Sequence, residues 1–220
     1  MNEAKLLRRY TSLPIALDML WNKRITLVDP NLWVDQNDAF FIHTYKKRKN
    51  LKSVLALCFT MKSERYHHWN VFAPGYSGVR LELDFDEIIS PLKGNPSINH
   101  GKVEYNPIKN LQGKLSAIDI NKLPFLKRTP YKDEEEYRLI YESNEEDINT
   151  KSFPLKLAAV KRIILSPFLP KPLDRTIKDI IKSIPDCSDI IDVWRTTLID
   201  NPEWKGLAEK VPARNKITES

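Results

Sequence analysis

The sequence predicts an α+β fold: a mixed, largely antiparallel sheet with peripheral helices. About six or seven strand-like segments, rich in β-branched and aromatic residues, interleave with three or four helical ones in no regular β-α-β order, which disfavours a doubly wound parallel sheet. The run Val79, Leu81, Leu83, Phe85 alternates with Arg80, Glu82 and Asp84, the pattern of a strand with one buried and one solvated face. No internal repeat or low-complexity segment divides the 220 residues, which suits one α+β domain over 1–200 and a C-terminal tail over 201–220.

Taken in order, Lys5 to Tyr10 reads as a short strand. Ser12 then caps a helix with Pro14 in its first turn and Leu13, Ala16, Leu17, Leu20 and Trp21 on one face. Arg24 to Val28 is a strand stopped by Asp29 and Pro30, and the aromatic stretch 31–45 has a periodicity that fits either a loop or a short helix. Ser53 to Thr60 is a compact apolar strand, Arg65 to Phe72 a short helix, and Gly75 and Gly78 form a tight turn into the alternating strand. His100 to Tyr105 is a further strand, 110–127 is weakly helical and interrupted by Pro124, and a strand begins at Tyr137. Ala158 to Leu165 and Asp189 to Thr197 are late strands flanking an amphipathic helix over Leu173–Ile184, and the tail from Asn201 reads as irregular.

Composition narrows the function classes. Hydrophobic residues at 41% and charged residues at 29% describe a globular protein, and no apolar run approaches the roughly 20 residues of a membrane-spanning helix. The start MNEAKLLRRYTSLP lacks a secretory apolar core, which points to a cytoplasmic protein. Cys58 is expected to be a buried free thiol and Cys187 a loop thiol, with no metal-spaced partners for either. A net charge of +6 and the block Lys46, Lys47, Arg48, Lys49, Lys52 permit an anionic partner, although such runs are commonly solvated faces.

Nucleotide-loop, hydrolase-elbow and zinc-protease signatures are absent. The chain changes character most abruptly at YKDEEEYRLIYE, where Asp133 to Glu136 run into a core strand. Such a cluster is either a solvated turn or a carboxylate pair at a cleft. Adjacent His67 and His68 diverge by about 100° on a helix, which disfavours a metal site formed by that pair alone. Four elements carry the remaining candidates: Arg8, Arg9 and Tyr10; Asn37, Asp38 and Phe40; His68, Trp69, Phe72, Gly75, Tyr76 and Gly78; and Glu134 with Glu136. Each has a structural explanation alone, and together they supply stacking rings, an arginine and a carboxylate suited to a dinucleotide.

RYTSLPIALDML, NDAFF, LCFTMKSERYHHWNVFAPGYSGVRLELD, KRTPYKDEEEYRLI and VKRIILSP resemble, in this order, a bacterial family catalogued as a domain of unknown function, number twenty-nine seventy-one. Ala39 and Phe72 stand where that family more often has proline and tyrosine. The order of a basic-aromatic first strand, a central aromatic block and Glu-x-Glu before a later strand is also similar to ADP-ribosyltransferases. That resemblance implies a split sheet with NAD as co-substrate and no metal. It places Glu136 as the catalytic carboxylate and Glu134 as the group acting on the acceptor. Arg9, Tyr10, His68, Trp69 and Tyr76 would hold NAD, with Asn37, Asp38, Lys47 and Arg48 toward the acceptor. It implies a nucleic-acid or protein acceptor and the role of a toxin or phage-defence effector with an antitoxin partner. Two alternatives remain: a non-catalytic nucleic-acid or protein-binding module, and a metal-dependent nuclease built on Asp38, Glu134 and Glu136.

Overall fold

The computed structural model describes residues 5–113, 117–188 and 191–211. In chain order its elements are β1 (Leu6–Ser12), α1 (Leu13–Trp21), β2 (Arg24–Val28), α2 (Gln36–Arg48), β3 (Ser53–Thr60), α3 (Tyr66–Phe72), β4 (Gly78–Asp84) and α4 (Phe85–Ile89). There follow β5 (Ile98–Lys102), β6 (Glu104–Asn106), α5 (Ile108–Gln112), β7 (Leu126–Arg128) and β8 (Glu136–Ser143). The chain closes with β9 (Thr150–Pro154), β10 (Val160–Leu165), α6 (Lys171–Ser183), β11 (Asp192–Arg195) and α7 (Pro202–Glu209). Among the described residues no helix is long and apolar enough to cross a membrane.

Nine strands form one sheet in the order β11-β10-β4-β1-β3-β2-β9, with β8 on β3 and β5 beyond β8. Every pairing in it is antiparallel except β10 with β11, so the predicted α+β class and its largely antiparallel sheet are what the chain adopts. The sheet divides at β3. β8 pairs with β3 all the way from Ser53 to Thr60, whereas β1 meets it only at Arg8↔Thr60 and β2 only at Val28↔Ala56. β1 stays paired with β4 from Leu6 to Ser12, so the two halves of the sheet share one register pair and then part.

Alternation along the strands gives the sheet two unlike faces. Leu7, Leu55, Leu57, Phe59, Leu81, Leu83, Leu139 and Ile163 point to one side, where α1 and α6 complete the main core through Leu20 and Ile181. Arg8, Tyr10, Cys58, Thr60, Arg80, Glu82, Glu136 and Arg138 alternate to the other side. This polar face is roofed at one end by α2, through Ile42 and Tyr45 on Val54, Ala56 and Ile140, and at the other by α3, through Trp69 on Tyr10 and Ile164. The expectation of a solvated face on β4 is thereby corrected: Arg80 and Glu82 are 4% and 5% exposed, because a charged strand face has been covered by helices.

Local signals explain other departures. The ambiguous stretch near residue 37 becomes α2 because Asp35 accepts hydrogen bonds from the backbone N–H groups of Asn37 and Asp38. β4 stops before Phe85 because Asp84 caps α4 in the same way. Pro202 in the first turn and Asn201 accepting from Trp204 N make a helix of residues read as irregular, while 212–220 and the first residues of the late strand, 189–190, lie outside the described residues. The weakly helical 110–127 resolves into the end of α5, a 3-10 turn over Ile120–Phe125 and β7, and β9, too polar to read as a strand, is held by β2. Trp21 is exposed rather than on the packed face of α1, and Ser12 makes no side-chain cap. Cys58 lies on a strand and Cys187 in the turn after α6, both free as expected, but Cys187 is the fully buried thiol and Cys58 only partly buried.

Gly78 joins α3 to β4 at close quarters. A Cβ there would lie 2.1 Å from the Ala73 carbonyl oxygen, a backbone atom that cannot rotate away. Gly78→Ala should therefore destabilise the fold by at least about 1–3 kcal/mol, read as a lowered urea midpoint at unchanged slope.

Candidate active site

β8 begins where a left-handed residue, Glu135 at φ 41°, turns the chain so that Glu134 and Glu136 both face inward while Glu135 points out to Lys62. The Glu134 carbonyl accepts from the Thr60 hydroxyl, and the Glu135 carbonyl accepts from Met61 N at 2.9 Å, fixing this turn against β3. Two residues on, Arg138 is completely buried. Its guanidinium has five N–H donors, and each finds an acceptor. Nε and Nη2 donate to Glu136 at 2.6 and 2.8 Å, Nη1 donates to Asp38 and to the Pro124 carbonyl, both at 2.8 Å, and Nη2 also donates to Asp38. The Trp33 ring covers the cation at 5.1 Å.

Lys127, from β7, enters the same cluster. Its Nζ lies 2.6 Å from Glu134, 3.3 Å from Glu136 and 3.5 Å from Asp38, and the Tyr131 ring lies 4.8 Å away. Three carboxylates thus share two cations in a region where Asp38, Glu134 and Glu136 are 4–7% exposed. Burial alone would raise the Glu136 pKa, but the adjoining Arg138 and Lys127 charges outweigh it and hold the carboxyl at about 2, fully ionised at neutral pH. Glu134 goes the other way: burial raises it, and Lys127 offsets this only in part. Burial pushes the Lys127 ammonium down, yet the three surrounding carboxylates carry it above its ordinary value. The Tyr105 hydroxyl accepts from Glu136 N at 2.9 Å.

The other end of the polar face is an aromatic and arginine-rich seat. Tyr10 meets Trp69 and His68 edge to face at 5.0 and 5.4 Å. Arg80 bonds Glu82 at 3.0 Å and lies near the Tyr10 hydroxyl, and Glu64 accepts from Trp69 Nε1 and Thr196 Oγ1, both at 2.9 Å. His68 bridges the two ends, with Nε2 3.3 Å from the Asp133 carbonyl. A carbonyl only accepts, so Nε2 carries the proton and Nδ1 is left a bare acceptor. Burial lowers the His68 pKa, which keeps the ring neutral, and Nδ1 has no partner. Arg9 donates to the Cys58 carbonyl at 2.9 Å across the parting of β1 and β3, and its Nε and that of Arg80 also lack partners.

Of the residues expected from sequence, Asp38, Glu134 and Glu136 come together, and Tyr10, His68 and Trp69 form the neighbouring seat. Trp69 has no exposed surface, so its ring anchors α3 rather than offering a free stacking face. Tyr76 is 68% exposed on its turn and Asn37 is exposed at the start of α2. Lys47 and Arg48 are exposed at the far end of α2, about 14 Å along its axis from Asp38. Sequence reasoning missed Lys127, Glu64 and Tyr105. Lys127 in particular sits on a strand of three residues with no periodicity to mark it. Two surface hollows, of about 680 Å³ beside α7 and about 330 Å³ between α1 and α6, include none of these residues.

No protein-family model and no curated protein matches the chain, so the family resemblance carried by its motifs gains no support there. Among solved structures, DarT of Thermus sp. 2.9 in complex with carba-NAD+ is similar at 9% identity, covering 89% of this chain and 97% of that one, with a TM-score of 0.45. The same protein in complex with NAD+ gives 11% identity, 88% and 96% coverage and 0.45, and in complex with ADP-ribosylated ssDNA 10%, 88%, 94% and 0.45. At that score the likeness assigns no role to any residue of this chain.

The saturated guanidinium makes two outcomes measurable. Arg138→Met leaves Asp38, Glu134 and Glu136 buried around Lys127 alone and should cost about 3–5 kcal/mol, seen in chemical denaturation. Glu136, lowered from 4.5 to about 2, stabilises the fold above its unfolded value and loses that contribution as pH falls toward 2. Glu136→Gln should therefore lower stability at neutral pH by on the order of 3 kcal/mol and flatten the acid limb between about pH 4.5 and 2. An unaltered limb in denaturation curves taken across that range would contradict this assignment.

Proposed function

We propose that the protein is an NAD-dependent ADP-ribosyltransferase acting on a macromolecular acceptor, with Glu136 as the catalytic carboxylate. The observation that carries this reading is Glu136, paired with Arg138 and Lys127, beside a second carboxylate, Glu134, at the edge of a polar sheet face that continues to Tyr10 and His68. Cleaving a ribose from nicotinamide develops positive charge on the sugar, and a fixed carboxylate stabilises it. Arg138 and Lys127 keep Glu136 charged without moving, so little reorganisation is needed as that charge appears. Glu134, with its higher pKa, is the group suited to taking the acceptor's proton.

The side chains near Tyr10 fit a dinucleotide by their unmet hydrogen-bonding capacity. His68 Nδ1 is a buried acceptor in need of a donor, and the Nε–H groups of Arg9 and Arg80 are buried donors in need of acceptors. NAD offers both kinds through its carboxamide, ribose hydroxyls and phosphates. In this reading Arg9 takes an anionic or ribose oxygen, Tyr10 and His68 border the ring, and the exposed Tyr76, with Asn37, lies toward the rim. Where the acceptor is the cell's own nucleic acid, such an enzyme acts as a toxin or defence effector and calls for an antitoxin.

Purified protein should release nicotinamide from NAD in the presence of single-stranded nucleic acid or a protein acceptor. Glu134→Gln should reduce that release at least about a hundredfold, and Glu136→Gln should abolish it while folded fractions are matched. A wild-type protein that neither consumes NAD with any acceptor nor gains thermal stability from it would overturn the assignment.

A second reading, a non-catalytic nucleic-acid-binding module, is favoured by Lys47, Arg48 and Lys52, which stand exposed at the end of α2 with no ion pair among the described residues. It predicts binding that survives Glu136→Gln. Replacing Lys47 and Arg48 by alanine should flatten the salt dependence of single-strand binding by about 1.4 in log–log slope. A slope unmoved by the double change would remove this reading.

A further inference from the structure

We infer that Lys127 is a positioning residue for the proposed site: its ammonium fixes the direction and the charge of Glu134, leaving one carboxylate oxygen free to act on an acceptor. This rests on the reading of Glu134 given above.

The geometry divides the three carboxylates unequally between the two cations. Arg138 spends all five donors on Asp38, Glu136 and Pro124 and makes no hydrogen bond to Glu134. Among the described residues the only side chain bonded to Glu134 is Lys127, through Oε2 at 2.6 Å. The other oxygen, Oε1, accepts no hydrogen bond from the described residues, yet it is not one of the enclosed atoms lacking a partner, so it keeps contact with solvent. One oxygen is therefore pinned and the other open, at a residue whose backbone is already fixed by Thr60.

Lys127 reaches this point because of where its strand lies. β6 and β7 form a separate two-stranded parallel sheet in which Tyr105 and Lys127 are register partners. Tyr105 is bonded to the first backbone N–H of β8 and Lys127 to the carboxylates on either side of Glu135, so the small sheet docks on the start of β8 through two adjacent side chains. A lysine side chain is 9% exposed here, a placement that is costly unless the charge is used. The charged and titratable groups acting on Glu134 are Lys127 from β7, Tyr105 from β6, and Glu136 and Arg138 from β8, and Asp38 from α2 shares the same lysine. With Lys127 removed, Glu134 keeps two carboxylate neighbours and loses its only bonded cation. Its proton is then retained to higher pH, so a smaller fraction of the carboxylate is unprotonated and able to act on the acceptor at neutral pH.

The test follows Glu134 directly, by side-chain carboxyl NMR titration of isotopically labelled full-length protein, and follows nicotinamide release against pH in parallel. Lys127→Met should move the Glu134 midpoint up by about one pH unit or more, reduce release at pH 7 about tenfold or more, and displace the acid limb of the activity profile by the same interval. Lys127→Arg should return the limb toward its wild-type place. If Lys127→Met does not fold, Lys127→Gln, which retains a hydrogen-bond donor without charge, should show the same displacement. A Glu134 midpoint unmoved in either neutral variant overturns the inference, as does a moved midpoint with an unmoved activity limb. Should wild-type protein fail to consume NAD, the enzyme assignment falls by that result alone, and the NMR midpoint still decides whether Lys127 governs Glu134.

Discussion

The guanidinium of Arg138 is the interaction on which the rest of the structure depends. A fully buried cation is tolerable only when every donor is met and its charge is balanced, and Arg138 meets both conditions by drawing on four separate pieces of chain. Asp38 brings the first turn of α2, the Pro124 carbonyl brings the 3-10 turn before β7, Trp33 brings the segment before α2, and Glu136 brings the turn into β8. The same pieces also meet in an apolar cluster, where Ile42, Trp33, Leu123 and Ile140 pack together, and the cation fixes the polar side of that junction. The capping of α2 by Asp35 is a consequence as well as a cause: it orients the helix so that Asp38 faces inward rather than toward water.

The same principle organises the whole polar face. β3, β4 and β8 are buried on both sides, yet their second side mixes the apolar Val54, Ala56 and Ile140 with the charged Arg80, Glu82, Glu136 and Arg138. Charges that would ordinarily face solvent have instead been roofed by α2 and α3, and the resulting networks of Arg138 with Asp38 and Glu136, and of Arg80 with Glu82 and Glu64, are what such roofing requires. Between them the sheet parts, and three of the five buried side-chain atoms left unmet among the described residues belong to Arg9, His68 and Arg80, the others to Asp35 and Asp174.

Much of this was legible in the sequence, and the limits have physical causes. The strands at 53–60, 79–84 and 137–143 were readable because apolar periodicity and β-branched residues report local structure. The importance of Glu134 and Glu136 was readable because an acidic run beside a core strand is locally anomalous. The burial of Arg80 and Glu82 was not, since alternation shows that a face is polar and cannot show that a distant helix covers it. Lys127 was invisible for a related reason: its role arises from register with Tyr105 across 21 intervening residues, and a lysine in a three-residue strand carries no periodic pattern of its own. The pairing of Glu136 with Arg138 was foreseeable from period two, and it is present.

The insertion that carries Lys127 leaves and rejoins the main sheet at one point, since Val103 N donates to the Glu136 carbonyl at 2.9 Å. Its two ends are already joined, so the cost of closing it depends only weakly on how many residues lie between. The roof over the carboxylates is thus a modular part. Its span between β6 and β7 can lengthen or shorten without altering the sheet, provided the tyrosine and the lysine stay opposite one another and the turn that brings the Pro124 carbonyl to Arg138 is kept. A different surface could be carried on that span while the carboxylate pair beneath it kept the same anchors.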